Sequence, residues 1–276
     1  MASTLSRAIE SVMNQTYPDW EMIVVDSDDV VAVATPIGQY GDDVRIRSFY
    51  GVFQDRSEAR NYGISQSTGD YITFLDADDA ISPEYLSEFV HIFNHKPDCV
   101  VISDILKIEG GIRRHWHKAG LFDGNRLRYA VNEGNITFAA RRKHFITRPF
   151  RFNFWEDKLW LGATGERLSF QFTGKPYYQY YITSKLYTEA DFKHSMAIEL
   201  EAINTLYSDV SLSYRQQYPL ASALNDFYIK KAYVALAHHY LASARELITG
   251  NVKFQGSIKT MLRVIKLRLT YLRNIF

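Results

Sequence analysis

Apolar strand-like segments alternate with helical segments along residues 1–105, and this alternation limits the fold more than any other feature of the chain. Strands are predicted at residues 20–25, 71–75 and 98–105, and helices at residues 5–13, 56–65 and 84–93. This order predicts right-handed crossovers and a largely parallel sheet, which is an α/β fold. Ligands of such a sheet bind beyond the carboxyl ends of its strands. Asp26 and the acidic cluster that begins at Asp76 are both predicted there.

The rest of the chain is less regular. After Gly110 we predict a strand at residues 136–140, a helix start at 141–145, a helix at 155–168 and an edge strand at 177–181. From about Ala190 onward the spacing of apolar residues is mainly helical. We therefore predict an α/β domain at residues 1–190 and a smaller helical C-terminal region at residues 191–276.

Composition excludes several classes of protein. The 276 residues carry a formal net charge of +1, without the excess of Lys and Arg that nucleic-acid binding usually needs. The one cysteine, Cys99, lies in an apolar run and is predicted to be a buried core residue, which excludes a disulfide framework. No apolar stretch approaches the roughly 20 residues of a membrane-spanning helix. We expect a cytoplasmic protein that does not bind nucleic acid.

The sequence Asp76-Ala77-Asp78-Asp79, directly after a predicted strand, is the most informative local feature. Carboxylates fixed at a sheet edge can hold a divalent cation and leave coordination positions for diphosphate oxygens. The alternative is a solvated acidic loop before a helix, because carboxylates also stabilise a helix N-terminus. The spacing of the acids alone leaves both interpretations open.

Three blocks of sequence occur in series: residues 4–26, SEARNYGI at residues 57–64, and GDYITFLDADD at residues 69–79. In order and spacing they resemble the family 2 glycosyltransferases. A DxD pair by itself is weak evidence, whereas the three blocks together are specific. The resemblance implies a GT-A fold that binds a nucleotide sugar, often with Mg²⁺ or Mn²⁺, and that inverts the anomeric carbon.

The resemblance also implies roles for individual residues. Asp26 matches the acid that contacts the base or ribose of the nucleotide, and Arg60 matches an arginine on the nucleotide side of the site. Asp76 and Asp78 match the DxD positions that touch the ribose, the metal and the diphosphate, with Asp79 as an adjacent metal-ligand candidate. Taken singly, Asp26 could end a strand and Arg60 could be a solvated helix residue; the series of blocks favours the functional roles.

An inverting displacement needs a base that removes the proton of the acceptor hydroxyl. The block WEDKLW at residues 155–160 resembles the later Glu-Asp block of the family. It implies Asp157 as the base and Glu156 as the neighbour that contacts or orients the acceptor. Adjacent carboxylates raise each other's proton affinity, which suits a base near neutral pH. The two acids could instead only begin a helix, and at least one of Trp155 and Trp160 is expected in the core.

The beginning of the chain departs from the family pattern. Family members normally place an apolar strand and a Pro-x-Tyr-Asn-like turn before the segment that matches residues 2–12, and this sequence has neither. Either the start is misassigned or the protein is a truncation with exposed strand edges and impaired activity. The sequence Asp26-Ser27-Asp28-Asp29 also differs from the usual double aspartate, and no further metal ligand maps onto the later part of the domain.

The last segment has an apolar helical face with Lys and Arg on its other faces, at residues 258–276. Such a helix fits peripheral contact with an anionic membrane, where lipid-linked acceptors are found. The pattern also fits, and somewhat favours, a terminal helix that packs on its own domain or in a homo-oligomer.

The family resemblance therefore implies transfer of a sugar, from a UDP-sugar donor, to a glycan or lipid-linked acceptor hydroxyl in cell-envelope polysaccharide synthesis. Two alternatives stay open. A nucleotidyltransferase would be expected to show a Gly-rich phosphate loop near its start, and none is visible. A catalytically impaired nucleotide-binding or membrane-surface scaffold derived from such an enzyme would fit the unusual start of the chain.

Overall fold

The computed structural model describes residues 2–26, 38, 40, 43–151, 155–182, 188–238 and 240–248. The chain forms two compact units, Met1–Ser184 and Lys185–Phe276. The sequence-based boundary near Ala190 falls at the start of the first helix of the second unit. The predicted basic helix at residues 258–276 lies outside the described residues.

The first unit alternates helices and strands, as the apolar spacing predicts. Its helices are α1 (Ala2–Met13), α2 (Arg56–Gln66), α3 (Tyr85–His95), α4 (Arg126–Glu133), α5 (Arg142–Thr147) and α6 (Glu156–Thr164). Its strands are β1 (Met22–Asp26), β2 (Ile46–Tyr50), β3 (Tyr71–Thr73), β4 (Ala80–Ile81), β5 (Cys99–Ile102), β6 (Ile105–Glu109), β7 (Ile112–Trp116), β8 (Phe138–Arg141), β9 (Ser169–Phe172) and β10 (Tyr178–Tyr181). The α/β class predicted from the sequence is confirmed.

The described strands form three sheets, of which the first is parallel and the other two are of mixed direction. β1 and β2 are a parallel pair; the second sheet has the order β3-β8-β5-β9 and the third the order β4-β10-β6-β7. The pairs β5–β9 and β6–β10 are also parallel, whereas β3–β8, β5–β8, β4–β10 and β6–β7 are antiparallel. Because β8 runs antiparallel to both β3 and β5, those two strands point the same way and their carboxyl ends meet at one edge.

Two segments differ from the sequence-based prediction. The segment at residues 98–105 is not one strand, because the chain leaves the second sheet after Ile102 and enters the third at Ile105. Ser103 and Asp104 make this crossing, and both are fully buried. The segment at residues 177–181 forms β10, which is interior rather than an edge strand, because it pairs with both β4 and β6.

The first two sheets meet at a polar contact. Among the described strands, β1 pairs only with β2 and β3 pairs only with β8, so each has one open edge. The Glu21 carboxylate, just before β1, accepts hydrogen bonds from the backbone N–H groups of Thr68 and Gly69, in the turn before β3. This contact holds the starts of the two strands together, so that Asp26 and the segment after Thr73 follow strands anchored at a common point.

The core lies on both faces of the second sheet. Every residue of β5 is buried, and its side chains alternate between the two faces, as the pleat of a strand requires. Val100 and Ile102 belong to a cluster on one face, with the rings of Phe138, Phe145 and Trp160. Cys99 and Val101 belong to the cluster that α3 covers on the other. Cys99 and Trp160 are therefore core residues.

The second unit is helical, as predicted. It contains α7 (Glu189–Asp209), α8 (Leu212–Gln216), α9 (Leu220–Ala237) and α10 (Leu241–Glu246). α7 begins with a capping box, in which the Thr188 hydroxyl accepts from the Asp191 N–H and the Asp191 carboxylate accepts from the Thr188 backbone N–H. Phe192, Ile229 and Leu236 form the centre of its apolar cluster. No helix in the described ranges combines the length and apolar character needed to cross a membrane.

Candidate active site

The acidic segment after β3 is a tight turn that separates the roles of its three aspartates. The Asp79 N–H donates to the Asp76 carbonyl over 3.0 Å, which closes the turn. Asp78 lies at the exposed tip, and the Asp76 side chain is partly exposed. Asp79 points inward and is only 1% exposed. The segment therefore offers two accessible carboxylates and one buried carboxylate.

Asp79 ties this turn to β10. Its Oδ2 accepts from the Tyr178 hydroxyl over 2.9 Å, and its Oδ1 accepts from the Tyr181 N–H over 2.9 Å. Burial raises the pKa of Asp79 to about 7, although these two hydrogen bonds act in the opposite direction. Because both oxygens are engaged inside the protein, the geometry favours a structural role for Asp79. Asp76 and Asp78 remain the metal-ligand candidates of this segment.

Arg60 joins the turn at residues 76–79, called the DxD turn below, to the Glu-Asp block at residues 156–157. One arm of its guanidinium, Nη2, donates to Asp76 Oδ1 over 2.9 Å, and the other, Nη1, donates to Glu156 Oε1. The planar guanidinium suits such a bridge, because its N–H groups diverge in a fixed fork. Burial disfavours the charged form of Arg60, but the carboxylates of Asp76, Glu156 and Asp157 outweigh this effect and raise its pKa.

α2 fixes the position of Arg60. The Asp55 carboxylate caps the helix by accepting from the Glu58 N–H. Asn61, the next residue after Arg60, donates from its amide to the Phe150 carbonyl and accepts from the Phe150 N–H, both over 2.9 Å. These contacts attach α2 to the segment that leads toward α6.

Glu156 and Asp157 form the first turn of α6. Glu156 is buried, and burial followed by the neighbouring Asp157 raises its pKa to about 7, while Arg60 opposes the rise. Asp157 is partly exposed, and burial of its carboxylate raises its pKa as well, against the attraction of Lys158. Arg60 lowers and Asp76 raises the proton affinity of Asp157. Asp157 therefore lies within electrostatic reach of the DxD turn and has an elevated proton affinity.

Trp155, just before this pair, has a left-handed backbone with φ of 63°. This conformation suits glycine but is unfavourable for a residue with a bulky side chain, and such strain concentrates at functional sites. Lys158 places its ammonium 4.0 Å from the centroid of the Trp155 ring. Trp160 instead stacks on Phe138 and Phe145 and donates its indole N–H to the Arg148 carbonyl.

Asp26 ends β1, and its backbone carbonyl accepts from the Gly51 N–H over 3.1 Å. α2 packs against this strand, since a Cβ on Gly63 would lie 3.2 Å from the Val25 side chain. Asp26 and Arg60 thus belong to a packed strand and helix. Residues 27–29, which complete the acidic segment after Asp26, lie outside the described residues.

Arg7 is a site residue that the sequence did not reveal. From α1 its guanidinium donates to the backbone carbonyl of Asp78 and lies 3.6 Å from the centroid of the Tyr181 ring. Every residue has a backbone carbonyl, so the sequence could place Arg7 in a helix but could not identify the Asp78 carbonyl as its partner. Arg7 therefore contacts the DxD turn through the backbone of Asp78, whereas Arg60 contacts it through the side chain of Asp76.

The donor set fits a hard divalent cation. Mg²⁺ is usually held by one or two carboxylates together with substrate phosphates, and it prefers oxygen ligands. Asp76 and Asp78 supply such oxygens at the surface of the turn. In the part of the chain that the structure describes, three His or acidic side chains converge elsewhere, at Asp104, His115 and His117.

Comparisons with known proteins identify the family of the chain. Residues 2–154 match the model of glycosyl transferase family 2. An uncharacterized glycosyltransferase of Nostoc sp. is 32% identical over 127 residues, which is 45% of this chain and 35% of that protein. A GalNAc(5)-diNAcBac-PP-undecaprenol beta-1,3-glucosyltransferase of Campylobacter jejuni is 32% identical over 122 residues, covering 42% of this chain and 39% of that protein. The chain thus spans little more than a third of the length of these curated relatives.

Solved structures show the same fold. The crystal structure of S. aureus TarS 1–349 superposes with a TM-score of 0.62 at 17% identity, covering 98% of this chain and 85% of that chain. The same protein in complex with UDP-GlcNAc superposes with a TM-score of 0.55 at 16% identity, over 88% and 85% of the two chains. The family model covers more than half of the sequence, and its span includes the DxD turn and Arg60. The chain therefore belongs to glycosyl transferase family 2.

Proposed function

We propose that the protein transfers a sugar from a nucleotide-sugar donor, specifically a UDP-sugar, to a hydroxyl of a glycan or lipid-linked acceptor, with inversion at the anomeric carbon. One observation carries the proposal: Arg60 bridges Asp76 of the DxD turn and Glu156 beside Asp157. Arg60 and Asp76, which are assigned to the donor, and Asp157, which is assigned as the base, therefore belong to one charged cluster.

The donor side is built from Asp26, Arg60 and the DxD turn. Asp26 would contact the base or ribose, and Asp76 the ribose and diphosphate. When bound, a Mg²⁺ or Mn²⁺ ion held by Asp76 and Asp78 would supply neutralisation of the charge on the leaving nucleoside diphosphate. S. aureus TarS, which shares the fold, has been crystallised with UDP-GlcNAc and with UDP, and this supports a uridine nucleotide.

Asp157 is the proposed general base. The acceptor hydroxyl would give its proton to the Asp157 carboxylate while its oxygen forms a bond to the anomeric carbon. The bond between that carbon and the phosphate oxygen breaks on the opposite face, and the electron pair leaves with the nucleoside diphosphate. A raised proton affinity suits this role, because an ordinary aspartate is too weak a base near neutral pH.

Glu156 has a different proposed role from the one its position in the sequence implies. Its carboxylate is buried and contacts Arg60, and Arg56 lies 3.7 Å away. This burial favours a positioning residue over one that contacts the acceptor. Glu156 would hold the Arg60 fork in place between the two halves of the site.

The proposed acceptor and cellular setting rest on a curated relative and on the sequence pattern of residues 258–276. The Campylobacter jejuni relative is named for a lipid-linked undecaprenol acceptor, which supports a lipid-linked glycan and a role in envelope polysaccharide assembly. Residues 258–276 carry the basic helical pattern expected of peripheral contact with the inner face of a membrane, or of packing in a homo-oligomer. We propose the first of these for this segment.

The test begins with donor binding and ends with product analysis. Calorimetric titration with UDP in Mn²⁺ is expected to show one site, weakened by Asp76→Asn and unchanged by Asp98→Asn, an exposed acid outside the cluster. A panel of UDP-sugars with undecaprenyl-linked acceptors is then expected to give product, whose anomeric configuration is read by NMR. Absence of both UDP binding and transfer would instead support a scaffold domain.

A further inference from the structure

The β6–β7 hairpin brings one acid and two histidines together, and none of the three belongs to the DxD turn. In its register Ile105 pairs with Trp116 and Leu106 with His115. Asp104, just before β6, is therefore opposite His117, just after β7. Because side chains alternate along a strand, His115 and His117 share a face of the hairpin while Trp116 points to the other.

The three side chains converge on one oxygen atom. His115 Nε2 lies 3.0 Å and His117 Nδ1 lies 2.8 Å from Asp104 Oδ2. The two imidazole rings are 4.0 Å apart between centroids. One candidate ligand atom from each residue lies within 4.8 Å of the others. Side chains from both strands thus meet at the open end of the hairpin.

The buried carboxylate is held in a fixed orientation. Asp104 is fully buried, and its Oδ1 accepts from the backbone N–H of Lys118 over 2.7 Å and of Ala119 over 3.2 Å. These contacts leave Oδ2 directed at the two imidazoles. Backbone contacts that orient a ligating carboxylate are typical of metal sites, where the outer contacts fix the inner ligands.

Two lysines next to this cluster in the sequence contact Trp116. Lys118 places its ammonium 3.6 Å from the centroid of the Trp116 ring and donates to the Glu133 carbonyl. Lys107 lies 3.7 Å from the same ring. Both ammonium groups therefore contact the Trp116 side chain, which belongs to the opposite face of the hairpin from the two histidines.

We propose that Asp104, His115 and His117 bind a divalent transition-metal ion of the Zn²⁺ class. Tetrahedral ligand bonds of about 2.1 Å place neighbouring donor atoms about 3.4 Å apart, so the two nitrogen–oxygen separations of 3.0 and 2.8 Å would each widen by about half an ångström when a metal binds. Two imidazoles and one carboxylate suit first-row transition metals better than Mg²⁺. The side chains of His115 and His117 are 32% and 62% exposed, so further coordination positions face solvent.

The site is independent of the proposed sugar transfer. Asp104, His115 and His117 are not the residues assigned to the donor, the base or the DxD metal, and their donor set differs in chemistry. Metal binding here would join the two ends of the β6–β7 hairpin, and β6 pairs directly with β10, the strand that anchors Asp79.

The experiment uses the full chain, with any affinity tag removed, and Zn²⁺ or Co²⁺ as the probe. Calorimetry is expected to show one Zn²⁺ per chain, and Co²⁺ is expected to give visible absorption bands shifted by imidazole ligands. His115→Ala with His117→Ala should weaken binding at least about tenfold, because loss of even an outer contact of a metal site costs about 10- to 100-fold. His117→Ala alone, at an exposed position, tests the same site with minimal risk to folding.

A matched control removes a different pair of histidines from the same unit. His91 and His95 lie on α3 with ring centroids 4.8 Å apart, and their double replacement by Ala should leave Zn²⁺ affinity unchanged. Asp76→Asn with Asp78→Asn should also leave it unchanged. No Zn²⁺ or Co²⁺ binding by the tag-free protein, or binding that survives loss of His115 and His117, would overturn the proposal.

Discussion

Arg60 donates a hydrogen bond to Glu156, a residue 96 positions further along the chain, while its other arm holds Asp76. The contact connects the block assigned to the donor with the block assigned to the base. It also explains why Glu156 can be buried as an acid, because a charged partner is within reach. The first predictions test this bridge and the turn it supports.

Replacement of Arg60 by Ala is expected to lower both stability and donor affinity. The substitution leaves the buried Glu156 carboxylate without the guanidinium of Arg60. We expect the free energy of unfolding, measured by urea titration, to fall by about 2 kcal/mol. Arg56→Ala is the matched control, since Arg56 is more than half exposed and 3.7 Å from Glu156. Equal losses in the two variants would contradict the bridging role of Arg60.

Arg7 is expected to matter for metal-dependent nucleotide binding. Arg7→Ala removes a charged hydrogen bond to the Asp78 backbone and the contact with Tyr181, so the DxD turn loses a support. We expect UDP affinity in Mn²⁺ to fall by roughly tenfold, in line with the value of a charged hydrogen bond. Calorimetry in EDTA supplies the control, because the difference between wild type and variant should shrink without the metal.

Asp79 is expected to give the protein a pH-dependent stability. Its pKa is about 7 in the folded state against an ordinary value of 3.8, so between these values the folded state binds more protons than the unfolded state. The contribution of Asp79 to the free energy of unfolding is therefore complete below the lower value, and it is lost as the pH rises through the folded-state pKa of about 7. Asp79→Asn should flatten this part of the profile of urea midpoints.

The matching control is Asp19→Asn, which removes an exposed carboxylate from the same unit. Its urea midpoints should parallel those of the wild type across the pH range. A profile for Asp79→Asn that keeps the full wild-type slope would show that the buried carboxylate is not the group responsible.

Trp160 is expected to be a stability residue. Its ring stacks on Phe138 and Phe145 inside the core, and Trp160→Ala should cost about 3–5 kcal/mol of unfolding free energy through the cavity it leaves. Trp160→Phe should recover part of this loss. If the Ala variant kept wild-type stability but lost acceptor affinity, Trp160 would be a substrate-stacking residue instead.

The sequence predicted the α/β class and the strand–helix order, because apolar spacing and the family blocks are local features. It also named Arg60, Asp76 and Glu156, which the structure brings together. It could not distinguish Asp79 from Asp78, because the inward direction of Asp79 depends on the Tyr178 hydroxyl, 99 residues away.

The same limit explains the other differences. The sequence predicts an edge strand at β10, whereas β10 pairs with both β4 and β6. The Tyr-rich segment itself contains no signal for these two pairings. The meeting of Asp104 with His115 and His117 likewise depends on the register of one hairpin. No short sequence pattern predicts contacts that depend on strand register or on a backbone carbonyl.

The most direct measurement is turnover by the Asp157→Asn variant alongside its affinity for UDP and Mn²⁺. Loss of the base should lower kcat for sugar transfer by at least about a hundredfold, while UDP affinity stays within about twofold of the wild type because the donor contacts remain. Transfer at the wild-type rate by this variant would contradict the assignment of Asp157 as the base.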